Sequence, residues 1–219
     1  MSNIFTISPA ETPDGEERLN EFGLSTTLFH TALTPGVSRA RGRTALALRT
    51  TPGNDIYHNT MEELALMLAP QGWQPVDVDG QPRLLHPDGM MSFTLASATN
   101  VAHPDTRKTP RTRGKGPATR NSLAAHVAHD LALFDLPDSP KKSVLVAAAN
   151  SSSLWMLLHE RTPTGLNLEF AQPSAMTPGG TVIAWADSIA IRPLELDGDL
   201  SVFDDPDGSD DFDVPVARL

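Results

Sequence analysis

Residues 73–97 read W-Q-P-V-D-V-D-G-Q-P-R-L-L-H-P-D-G-M-M-S-F-T-L-A-S, and this stretch decides the fold class. Asp79-Gly80 is a two-residue hairpin turn signal set between two short apolar runs. Pro75 and Pro82 each remove a backbone N–H, which pushes both strands toward a sheet edge. After the Pro87-Asp88-Gly89 turn, the run ending at Ser97 adds a further strand and so a small antiparallel sheet.

Upstream of that sheet the apolar period changes to that of a helix. Asn59 can cap a helix over residues 60–69, Glu62 completes a capping box, and Met61, Leu64, Ala65 and Leu68 share one face. Residues 70–72, P-Q-G, end it. Earlier still, Leu19, Phe22, Leu28, Phe29 and Leu33 space a helical stretch that starts at Glu16, is interrupted near Gly23 and stops at Pro35-Gly36. Residues 1–15 form a polar, Pro-containing flexible arm. Between these helices lie Arg39, Arg41, Arg43 and Arg49, with no acid from Phe22 to Asn54. A strand would put the first three on one side and a helix would spread them; the pattern fits either.

Downstream, residues 106–120 read T-R-K-T-P-R-T-R-G-K-G-P-A-T-R. Arg107, Lys108, Arg111, Arg113, Lys115 and Arg120 concentrate positive charge there with no acid, and two prolines and two glycines break any regular element. Asn121 or Ser122 can then cap a helix whose Leu123, Val127, Leu131 and Phe134 form a stripe. Residues 136–142, with Pro137 and Pro140, are the expected boundary. Beyond it the pattern is β: a short strand at 143–148, a hairpin of 154–159 with 166–170, and a strand at 181–191. The predicted fold is α+β. A helix-rich part over 16–136 carries the small antiparallel sheet and the basic loop. An antiparallel β part over 143–193 shares its core, and an acidic tail runs over 194–219.

Composition narrows the chemistry. The 219 residues suffice for one good-sized core, and the absence of cysteine removes disulfide and thiolate chemistry. No run approaches the ~18 apolar residues of a membrane span. The N-terminal residues lack a basic and apolar leader, so the expected location is cytoplasmic, with no membrane partner. The net charge of -10 is carried by the ends: residues 194–219 hold nine acids against Arg218, while the middle of the chain is mildly basic.

Several candidate sites follow. Gly114 and Gly116 let backbone N–H groups approach a phosphate, and the surrounding cations favour DNA or RNA backbone contact. The loop is not a Walker A motif and contains no aromatic, so base stacking within it is excluded. Arg39, Arg41 and Arg43 join that surface if they fold beside the loop. His126, His129 and Asp130 share a helical face and are weak metal candidates; surface histidines are the plainer account, and neither metal nor cofactor is expected. Ser151, Ser152 and Ser153 lack the context of a nucleophile. Trp155 and Trp185, in alternating apolar segments, are expected in the core. Asp204, Asp205, Asp210, Asp211 and Phe212 form an acidic-aromatic segment of the kind that docks on partners.

Two blocks, residues 96–120 and residues 154–173, resemble segments of uncharacterised proteins carried by bacterial plasmids and phages. An acidic tail after a basic body is also similar to the plan of phage single-stranded-DNA-binding proteins, although this chain ends V-A-R-L and is poor in aromatics. The resemblance implies an accessory protein of a mobile element and no activity. The leading expectation is a non-catalytic, nucleic-acid-associated protein. The alternative is an inhibitor of a host defence or nuclease complex through an acidic, nucleic-acid-mimicking surface. An enzyme of unknown class comes third.

Overall fold

The structure, a computed structural model, describes residues 13–127 and 140–196, and over these the fold is α+β. The helices α1 (Pro13–Glu21), α2 (Thr26–Arg41) and α3 (Thr51–Leu68) come first. They are followed by strands β1 (Gln74–Val78), β2 (Gln81–Leu85) and β3 (Met91–Thr99) and the short β4 (Arg111–Thr112). Then come α4 (Pro117–Val127) and α5 (Pro140–Ser151), and finally β5 (Ser153–Thr162), β6 (Gly165–Met176) and β7 (Val182–Glu195).

The strands form one mixed sheet in the order β1-β2-β3-β5-β6-β7, with β4 pairing β3 off that path. Every other neighbouring pair is antiparallel, but β3 and β5 run parallel, Leu95 opposite Leu157. Each part is antiparallel within itself as expected, β1-β2-β3 and β5-β6-β7, and the parallel pair joins the two into one sheet. A parallel neighbour requires a long crossover, and residues 100–152 make it. The hairpin at Asp79-Gly80 is present, both residues at positive φ. β1 is the edge strand; β2 is not, and its Pro82 pairs only with β1, beyond the two residues that pair with β3.

Side-chain alternation gives the sheet two buried faces. Leu84, Phe93, Leu95, Trp155, Leu157, Leu168 and Phe170 meet α1–α3 on one. On the other, Leu154, Met156, Leu158, Ala96 and Ala98 pack with Val182, while Val76, Val78 and Leu85 pack with α4 and α5. Aromatic rings concentrate the first core: Trp155 stacks on Phe170 at 4.9 Å, and Phe93 meets Phe170 edge-on at 5.6 Å. Burying each such ring is worth about 1.5–3 kcal/mol. Arg83, buried on the second face, donates to the carbonyls of Ala118 and Ala149 and so ties both helices to the sheet.

Four elements differ from the sequence reading. α2 does not stop at Pro35 but continues to Arg41, because Leu33, Val37 and Ala40 are all buried. Gly36 explains the geometry: a Cβ there would sit 3.0 Å from the Asp55 carbonyl oxygen and the Ile56 Cα, so α2 and α3 touch backbone to backbone. α3 begins at Thr51 rather than 60, with a proline in its first turn where a missing N–H costs nothing. Asn59 is therefore no cap; its amide donates to the Asp55 carbonyl. Residues 143–148 are not a strand but lie inside α5, which starts at Pro140 and carries Leu145, Val146, Ala148 and Ala149 on one helical face. The helix after the basic loop starts at Pro117, so Ser122 lies within it and its hydroxyl donates to the Ala118 carbonyl.

Candidate nucleic-acid interface

From Thr99 the chain leaves β3 and crosses the second face of the sheet as a strap, residues 100–116. Its first turn is fixed by two carboxylates. Glu160 accepts the N–H groups of Asn100 and Val101 at 3.1 and 3.0 Å, and Glu169 accepts that of Ala102 at 2.8 Å. Asn100 and Ala102 both take positive φ, 59° and 49°, and these bonds offset the strain of that conformation. Ser188 donates its hydroxyl to the other oxygen of Glu169.

Further along, the strap is pinned to the tip of the β6–β7 hairpin. Trp185 donates its indole N–H to the Pro110 carbonyl at 2.9 Å, and the Val182 N–H donates to the Thr112 hydroxyl at 3.0 Å. β4 pairs with the end of β3, Thr112 opposite Ala98. The Lys115 N–H donates to the Gly180 carbonyl at 2.9 Å. Gly180 is required there: its φ is 88°, and a Cβ would meet the Lys115 carbonyl oxygen at 2.6 Å.

This scaffold sorts the six cations. Arg107 is spent on Asp105, with a guanidinium contact at 3.0 Å. Lys108 lies 3.4 Å from His103. Thr112 is buried, and Arg111 and Arg113 on either side of it are exposed, so both leave the same side of the strap. Neither has an ion-pair partner among the described residues. Arg120, exposed in the first turn of α4, donates to the Pro178 carbonyl at 3.0 Å and leaves other N–H groups to solvent. Burial, and then the Arg113 charge, pull the Lys115 ammonium down to about 8.

The remaining candidates fall elsewhere. Arg39 and Arg41 end α2, in the helical layer on the other face of the sheet, and so do not extend the strap's surface. Arg43 follows that helix and is held by Asp55, Nε and Nη2 at 2.7 and 2.8 Å from its two oxygens. The hydrogen bond from Arg43 holds the Asp55 carboxyl below its usual range. The side chain of His126 and residues His129, Asp130, Asp204, Asp205, Asp210, Asp211 and Phe212 lie outside the described residues. Among the described residues no cluster of His, Cys, Asp or Glu could hold a metal ion, and no helix is long and apolar enough to cross a membrane. Ser151 and Ser152 donate to carbonyls at the end of α5.

Sequence reasoning missed the groups that build the strap's base: Glu160, Glu169 and Trp185. Trp155 is core as expected, but Trp185 is only half-buried and lines a cavity. His159, buried on β5 opposite Ser97 and Leu168, is pulled down to about 3 by burial and by Arg161, Lys115 and Arg113. Its Nδ1 has no partner among the described residues. Comparison of the chain with protein-family models, with curated proteins and with solved structures finds no match.

Proposed function

We propose that this chain is a non-catalytic accessory protein that holds DNA or RNA by its phosphates, through the strap and the start of α4. The observation that carries this is the pair Arg111 and Arg113. They stand exposed on either side of a buried, hydrogen-bonded Thr112, with no carboxylate partner among the described residues. Because the backbone that carries them is already fixed, meeting a phosphate costs the ordering of the two side chains but not of the loop. Arg120 and Lys115 supply two more charges on the same segment, and Arg makes the planar, bidentate contact that phosphate accepts. The mobile-element setting rests on the resemblance of the two sequence blocks alone.

The test is fluorescence anisotropy of a labelled oligonucleotide at low salt with the wild type and an Arg111→Ala/Arg113→Ala variant. The variant is expected to bind more than ten-fold more weakly, and by a similar factor for unrelated sequences. Absence of wild-type binding at low salt would overturn the proposal.

A further inference from the structure

A cavity of about 740 Å³ opens between the strap and strands β6 and β7. That is within the roughly 300–1,000 Å³ range of small-ligand sites. Trp185 and Pro110 give it an apolar wall, Asn167, Glu169 and Ser188 a polar one, and Lys108 also lines it. The indole N–H of Trp185 is already committed to Pro110, so what Trp185 offers the cavity is its ring. Glu169 is 6% exposed and accepts one bond on each oxygen, from Ala102 and Ser188, which leaves each oxygen a further lone pair. The Asn167 amide has no partner among the described residues and offers both a donor and an acceptor. Pro110, in the cavity wall, immediately precedes Arg111.

We infer that this cavity receives an unpaired nucleobase of the strand whose phosphates lie on Arg111 and Arg113, an inference that rests on the phosphate-binding reading above. A base is flat, stacks on an aromatic ring whatever its identity, and carries N–H donors and acceptors on its edge. A ring, a carboxylate with open lone pairs and an amide match those three properties. A base inside a duplex is stacked and paired, and must be unstacked before it can enter. Single strands are therefore preferred to duplex, and the stacking platform absent from the basic loop itself is supplied from β7.

Two variants separate stacking from the structural role of the indole. Trp185→Phe and Trp185→Leu both lose the hydrogen bond to Pro110, but only Phe keeps a ring. Anisotropy is measured with a short mixed-sequence DNA strand, the same sequence as RNA, and the DNA duplex. The wild type is expected to bind at least one single strand more tightly than the duplex, and the tighter of the two identifies the natural source. Trp185→Leu is expected to lose about ten-fold or more in single-strand affinity and the preference with it. Trp185→Phe should keep most of both. Equal affinity of the wild type for single strand and duplex, or equal losses in the Phe and Leu variants, would overturn the base pocket while leaving the phosphate contact standing. No binding to any of the three would overturn both.

Discussion

At the scale of single residues, the strap shows how a charge can be held in readiness. Lys115 is pulled down to about 8 by burial and by Arg113, so in the unbound protein it is still mostly charged at pH 7 but loses that charge well below the usual lysine range. A phosphate beside it would favour that charged form and raise its pKa. Wild-type affinity for an oligonucleotide is therefore expected to weaken as pH rises from 7 to 9. Lys115→Met is expected to bind less tightly at pH 7 and to show little change over the same range. A wild-type affinity that strengthens with pH would remove Lys115 from the interface. The cations of this site were legible in the sequence, because six of them fall within fifteen residues without an acid. Trp185 and Glu169 were not. Glu169 lies 67 residues beyond Ala102 and Trp185 75 beyond Pro110, and only the pairing of β6 and β7 and the path of the strap bring them together.

At the scale of elements, local signals held where local chemistry decides and failed where packing does. Asp79-Gly80 makes its hairpin because a two-residue turn needs those backbone angles. Pro35 and Gly36 read as a stop, yet α2 passes through them, because its buried face and its contact with α3 outweigh the lost backbone hydrogen bond. The apolar run at 143–148 fits strand or helix by itself, as short runs do. Placement of α5 against Val76, Val78 and Leu85 makes it a helix. Gly36→Ala tests the helix contact. Alanine gains about 0.5–1 kcal/mol of helix propensity over glycine, but a Cβ 3.0 Å from two backbone atoms forces the helices apart. Overpacking of that kind costs about 1–3 kcal/mol. A net loss of about 1 kcal/mol in chemical denaturation is expected; a more stable variant would contradict the close approach.

At the scale of the whole molecule, the α+β class was legible but the topology was not, since no residue pattern announces that β3 and β5 lie side by side and parallel. That pairing makes one sheet with two covered faces and requires the crossover whose first part is the strap. It also buries His159, held neutral with a pKa of about 3. The unfolded chain takes up a proton there below about 6.5, and the folded chain does not until pH falls to about 3. Stability is therefore expected to fall as pH drops through that window, by up to about 1.4 kcal/mol per pH unit. His86, lowered by burial, adds to the loss in the same direction. Asp55, lowered by the hydrogen bond from Arg43, contributes stability that is lost only below about pH 4. Denaturation midpoints across pH 4–7 check this, and His159→Phe should flatten the decline. A wild-type stability constant over that range would contradict it.

The central claim, a phosphate contact built on Arg111, Arg113, Lys115 and Arg120, is tested most directly by the salt dependence of binding. With four contacts to a single strand, log affinity should fall against log salt with a slope of about -3. Arg111→Ala/Arg113→Ala should make that slope shallower by about 1.4. An unchanged slope in the variant, or a wild-type affinity indifferent to salt, would contradict it.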